Sequence, residues 1–185
     1  MTKFDLSKLK KRLEDLADGL DGMETKVGFP SNLQYEDGTS VAFVATIQNY
    51  GAPAAKIPPR PFMEPTAHSQ KDKWVKLAAD QIKKVANGQT TPFNALDLVG
   101  RVAEIDIQNT IADIQEPALS PITVLLRKWK KQGRTITGKT VGEAAQAIKD
   151  GVDPGSDNKP LNATGYLQAS VKHNVSKSSE DDFQV

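Results

Sequence analysis

The chain has no cysteine. That excludes a disulfide framework, a thiolate metal site and a cysteine nucleophile. It has two histidines, His68 and His173, far apart and without acids at ligand-like spacing, so no metal motif is legible. Aromatic residues make up 6% and hydrophobic residues 38% of the sequence, which is lean for a self-sufficient core and points to a chain that leans on neighbours or carries loose segments. Neither sign of charge dominates: 24 basic side chains face 23 acidic ones, a net of +1, and bulk electrostatics make no case for nucleic-acid or membrane binding. No stretch approaches the roughly 20 apolar residues of a membrane helix. The opening MTKFDLSKLKKRLEDLADGL lacks the unbroken apolar core of a secretory signal. No internal repeat or heptad pattern is present. The 185 residues suit one domain with a core of its own.

What is present centres on residues 39–62, TSVAFVATIQNYGAPAAKIPPRPF. Thr39 and Ser40 are helix-capping hydroxyls. Val41, Ala42, Val44, Ala45 and Ile47 follow, and Gly51 after Tyr50 suits a left-handed stop, so a short helix is expected. Pro53, Pro58, Pro59 and Pro61 then fix φ and remove backbone donors, which predicts an extended rail. A rigid segment loses little entropy on docking. Tyr50 and Phe62 are candidate apolar anchors on it and Arg60 a planar donor fork. The competing expectation is that Phe62 plugs its own core and Arg60 caps a nearby helix end.

Leu6, Leu9, Leu13 and Leu16 recur at helical spacing over residues 5–18. Residues 24–29 read as a strand, and Asp37–Gly38 as a turn. A helix over 66–85, opening near Pro65, carries Trp74, Ala78, Ile82 and Val85 on one side, with lysines at 71, 73, 76, 83 and 84 over much of the rest. Thr91–Pro92 opens another helix with the widest apolar stripe, Phe93, Leu96, Val99, Ala103, Ile107, Ile111 and Ile114, flanked by Leu98, Val102 and Ile105. Ser120–Pro121 repeats the device for a helix to Gln132. Residues 133–158 are polar and glycine-rich and read as a flexible insert with a short helix near 141–149. A strand through Ala169, Val171, His173 and Val175, a charged hairpin over 176–182 and a last strand near Phe183 are expected at the end.

Gly133 to Thr140 matches G-x4-G-K-[ST], a phosphate-binding loop pattern. Its context is wrong, because it follows the charged end of a helix instead of a buried strand, and no strand–helix series builds a parallel sheet. A flexible basic loop is the better reading. The lysines of 71–84 and 127–131 are a solvated face or a surface touching DNA or an acidic partner. No G-x-S-x-G occurs, and the paired acids, such as Glu14–Asp15, are adjacent and not convergent. No catalytic residue, cofactor or metal site is therefore assigned.

Three runs resemble the small neck and tail-completion proteins of long-tailed, lambda-like and Mu-like bacteriophages. They are Tyr35 to Phe62, with its DGT, VAFVATIQNYG and IPPRPF elements; LSPITVLLRK at 119–128; and KPLNATGYLQASVKHNV at 159–175. Asn49 departs from the family's usual carboxylate, Asn162–Ala163 from its Ile/Val–Asp, and the insert is long. The resemblance implies a structural virion protein, not an enzyme. It would form a ring of copies, with sixfold order, between capsid connector and tail tube. The other neck and tail proteins would be its partners, genomic DNA would pass through the lumen, and assembly would take place in the bacterial cytoplasm with no membrane involved. A terminator capping the tail tube is the alternative, and a nucleotide-binding enzyme through Gly133–Thr140 a more distant one.

The expected fold is α+β, a small, mainly antiparallel sheet packed against two or three long helices. Residues 1–132 and 159–185 form one domain around the insert. The expected partner interface is Tyr50, Pro58, Pro59, Arg60, Pro61, Phe62 and Tyr166.

Overall fold

The computed structural model describes residues 6–161, 163–177 and 183–184; for six residues of the first helix and for residues 183–184 only the backbone is described. In order, the elements are α1 (Leu6–Leu20), β1 (Met23–Pro30), α2 (Val41–Tyr50), a 3-10 turn (Pro53–Ala55), α3 (Met63–Ala86), α4 (Pro92–Asp113), α5 (Pro121–Lys131), α6 (Gly138–Lys149), α7 (Tyr166–Ala169), β2 (Lys172–Lys177) and β3 (Phe183–Gln184). This is the α+β arrangement, a small antiparallel sheet of order β2-β1-β3 laid against long helices. β1 pairs with β2 from Met23↔Lys177 to Gly28↔Lys172, and β3 covers only Phe29 and Pro30 on the other edge.

The hinge of the architecture is α4. Thr91 caps it, its hydroxyl accepting from the Asn94 amide, with Pro92 in the first turn. Its buried residues Gly100, Ala103, Ile107 and Ile111 lie at helical spacing on one stripe. The gradient from small to large along that stripe sets the packing. At the narrow end β1 and β2 ride directly on the helix. At the wide end Ile107 and Ile111 join Phe29, Val41, Ala42, Ala45, Phe62, Leu161, Leu167 and Val171 in the core. A Cβ on Gly100 would overlap Thr25 Oγ1 and lie 2.8 Å from His173 Cδ2. Gly100→Ala should gain about 1 kcal/mol of helix propensity and lose about 1–3 kcal/mol to overpacking, a net loss that chemical denaturation will measure.

α3 runs antiparallel along another side of α4. The Thr66 and Thr110 hydroxyls hydrogen-bond at 2.6 Å, and Trp74 Nε1 donates to Asp106 Oδ2 at 2.8 Å beside the Lys73–Asp106 ion pair at 2.7 Å. Trp74, Ala78 and Val85 of the expected face are half-buried, and Ile82 is the member that turns outward. Thr66 and Gln81 are buried, while Val75 and Ile82 stand 58% and 46% exposed. On α4 Phe93, expected in the buried stripe, and the flanks Leu98 and Ile105 are likewise exposed. The expected leucine stripe of α1 lies outside the described side chains, as do residues 178–182 of the expected terminal hairpin.

The last expected strand starts later than its pattern suggests. Tyr166–Ala169 is a helical turn, so Ala169 is not in β2. β2 is fastened to α4 through His173, whose amide donates to Glu104 Oε2 at 3.0 Å. Its ring Nδ1 lies 2.5 Å from Glu104 Oε2 and its Nε2 3.1 Å from Asp97 Oδ1. The His173 contact, then the Arg101 one, holds the Asp97 carboxyl below its ordinary range. The two carboxylates sit on opposite ring nitrogens, so the trio does not converge on one point, and no group of metal-holding side chains occurs among the described residues.

Residues 133–158 contain the short helix expected near 141–149, which starts at Gly138 and packs against α5. Thr137 and Thr140 make a reciprocal capping box at the start of α6, and Ala144 is fully buried where α6 meets α5. Arg134 stacks over Trp129 at 4.1 Å and pairs with Glu143, closing the α5–α6 hairpin. Asp157 pairs with Lys131 at 2.7 Å and Arg127 at 3.7 Å, tying the return segment to α5. Local turn composition hid this, because the stabilising contacts are between side chains distant in sequence.

Candidate functional site

α2 forms where its caps place it. Ser40 Oγ accepts from the Phe43 amide, and Gly51 takes φ 79° while its N–H donates to Ile47 O. Glycine is required at 51 twice over, since a Cβ would also meet Pro59 N at 2.8 Å and Ile57 O at 2.9 Å. That close approach folds the proline segment back along α2, with Arg60 N donating to Gln48 O at 2.8 Å. The segment is therefore not one extended rail. Pro53 starts a 3-10 turn, and Ala52 and Ile57 bridge across it. Only the stretch after Ile57 runs without regular structure to α3.

Asn49 ties α2 to α3, a role that local pattern did not reveal. It is buried, and its Oδ1 accepts from the Phe62 and Met63 amides at 2.8 and 3.1 Å, capping α3 from a distance. Its Nδ2 donates to Glu64 Oε2 at 3.1 Å, and Tyr50 OH donates to Glu64 Oε1 at 2.6 Å. These two bonds, the tyrosine's first, hold the Glu64 carboxyl below its ordinary range, and the same bond raises the Tyr50 hydroxyl. A carboxylate at position 49 would cap the same amides but face Glu64 with like charge.

Two of the expected interface residues are corrected. Phe62 is fully buried, meeting Phe29 edge-to-face at 6.0 Å. Arg60 is 4% exposed; its Nε donates to Pro117 O at 2.7 Å, its Nη2 to Ala118 O at 3.3 Å and its Nη1 to Gln48 Oε1 at 3.3 Å. Neither is open to a partner, because the folded-back rail turns both inward. Pro58 is half-buried, Pro59 and Pro61 are exposed, and Tyr50 is 61% exposed. Tyr166 is partly exposed, but its hydroxyl donates to Gln34 O at 3.1 Å and its ring packs on Tyr35 at 5.2 Å.

Beside α2 the core opens into an apolar trough of about 410 Å³ between β1, α2, α3 and α4. Val99, Ala103 and Ile107 of α4, Met63 and Trp74 of α3, and Phe29 line it, with Asn49, Tyr50 and Glu64 at one side. Along the outer surface of α2, Phe43 and Tyr50 stand 60% and 61% exposed, one heptad apart. α2 is therefore apolar on nearly every side, a pattern that belongs to a buried helix. Tyr50 lines the trough, and Phe43 lies two turns away on the same side of α2 with Thr46 between them.

The phosphate-loop pattern does not build a nucleotide cradle. Gly133 follows α5, and Thr140 is buried with its hydroxyl donating to Thr137 O at 2.8 Å and accepting from Thr137 N at 2.6 Å. The hydroxyl that would serve a metal is already engaged. No helix among the described residues is long and apolar enough to cross a membrane. The chain matches no family model, and neither a curated protein nor a solved structure is significantly similar to it.

Proposed function

We propose that this chain is a structural subunit of a phage neck, completing or joining the tail to the capsid connector as a ring of copies. The observation that carries the reading is the open apolar trough together with exposed Phe43 and Tyr50 on the mainly apolar α2. Large contiguous apolar surfaces on a folded chain mark association sites. The three sequence runs similar to neck and tail-completion proteins supply the class of partner: copies of itself first, then other neck and tail proteins. A ring needs one patch to fit a different patch on the next copy, a heterologous contact that closes. The burial of Arg60 and Phe62 shifts that contact from the proline segment to α2 and the trough. A terminator capping the tail tube would use the same surface.

Multi-angle light scattering and negative-stain imaging of the purified chain test this. The wild type should form a closed oligomer as concentration rises. Phe43→Asp with Tyr50→Asp should remain monomeric and lower the melting temperature by only a few degrees, since the Tyr50–Glu64 hydrogen bond it removes contributes about 1 kcal/mol. A wild type that stays monomeric when concentrated, and is absent from purified virions, would refute the reading. A melting-point rise with Mg-ATP would favour the nucleotide enzyme instead.

A further inference from the structure

A ring of copies joins two different patches, and the trough beside α2 is only one of them. The α5–α6 hairpin carries an apolar strip that suits the other. Among the described elements, α5 and α6 pack chiefly on each other. On α6, Val141, Ala145 and Ile148 fall at i, i+4 and i+7, along one side of the helix. Val141 is 41% exposed and the other two are half-buried. Ile136 precedes the Thr137 cap, and Val141 is the fourth helical residue; these are the two positions that a hydrophobic staple brings together. Ile136 nonetheless remains 37% exposed. The Thr137–Thr140 capping box fixes the backbone between them, so little conformational freedom is lost when they dock.

Charge identifies what this strip meets. Residues 117–160 carry eight basic and four acidic side chains, a net of +4, while the other residues carry 16 and 19, a net of −3. The hairpin of one copy is thereby attracted to the body of another. Of the residues lining the trough, only Glu64 bears a formal charge, and it is negative. On a single chain the strip is exposed while the trough stands open, so neither fills the other from within.

We infer, resting on the ring reading, that the trough seats the α6 strip of a second copy, with Ile136 and Val141 as the apolar anchors that enter it. The trough's 410 Å³ lies within the roughly 300–1,000 Å³ of pockets that enclose a drug-sized group, and two aliphatic side chains are smaller than such a group. Hairpin into trough is a heterologous contact, the kind a closed ring requires.

A chain without cysteine lets single-cysteine variants test the contact directly. Ile136→Cys marks the strip, and Ala67→Cys, exposed on α3, marks the trough. Mixed where the wild type assembles and treated with a short bismaleimide, the pair should give about tenfold more cross-linked dimer than either variant alone, because docked neighbours raise the effective concentration of the thiols. Gln146→Cys, on another side of α6, should lose that yield when it replaces Ile136→Cys. Ile136→Gln with Val141→Gln should weaken assembly about tenfold or more by light scattering, as removal of interface anchors does. The dilute protein should keep its melting temperature within a few degrees; if this variant unfolds, the cross-link alone decides. Wild-type oligomers that give no cross-link above the single variants, or a folded Gln pair that assembles as well as wild type, would overturn the assignment and leave the ring reading standing. A wild type that is monomeric at every concentration would remove both.

Discussion

Replacing Arg60 with Ala should destabilise the chain by about 3–5 kcal/mol, the cost of breaking a buried, hydrogen-bonded charge site. Arg60 is not balanced by a carboxylate. Burial, and then the nearby Arg127 cation, push its pKa down, and its charge is met by the Pro117 and Ala118 carbonyls and by Gln48. Truncation therefore orphans two backbone carbonyls at the base of the α5–α6 hairpin and leaves a hole beneath α2. The melting temperature should fall by about 10 °C, on the scale of 2–4 °C per kcal/mol for a chain this long. Limited proteolysis should cut first near residues 114–119, because that link loses its only side-chain fork. Arg60→Lys should recover only part of the loss, since an ammonium cannot span both carbonyls with one planar group. A variant within 0.5 kcal/mol of wild type would mean the guanidinium is not seated as described.

Arg60 also shows how far sequence reasoning reaches. Three hydroxyl-headed helix starts are local chemistry, and Ser40, Thr91 and Ser120 cap the helices they were expected to cap, whereas α3 begins at Met63, ahead of the expected Pro65. The buried stripe of α4 is also local, a periodicity of one element. What local pattern lacked was direction. Nothing in residues 53–61 says that the chain folds back at Gly51; that follows from the close approach of Pro59 and Ile57, which only the tertiary fold defines. The same holds for Asn49, a polar residue whose three bonds all reach residues 13 to 15 positions away. Of the candidate interface, Tyr50 was legible as a large side chain beside a helix stop. The trough was not, because it arises where four elements fail to fill a shared space.

The second large effect concerns Phe62, and it separates a core plug from a partner anchor. Phe62→Ala should cost about 3–5 kcal/mol, the range for removing a buried aromatic ring. The ring is fully buried against Phe29 at an interplanar angle of 74°, and it neighbours the trough, so the new hole would enlarge an existing space. Collapse into it is resisted from both sides: the Phe62 amide is held by Asn49 Oδ1, and Thr66 Oγ1 donates to the Phe62 carbonyl at 2.7 Å. The backbone must stay in place while the side chain's contacts vanish, which puts the expected cost at the upper end of that range. The readout is denaturant unfolding of dilute protein, where no oligomer contributes. Phe62→Leu should restore about half the loss by refilling apolar volume without the edge-to-face contact. If instead Phe62→Ala unfolds like wild type when dilute but fails to assemble when concentrated, Phe62 serves the neighbouring copy and the inward-turned rail is wrong. The opposite pattern for Phe43→Asp with Tyr50→Asp, normal folding with lost assembly, completes the contrast, because the two sets of side chains lie on opposite sides of the boundary between core and interface.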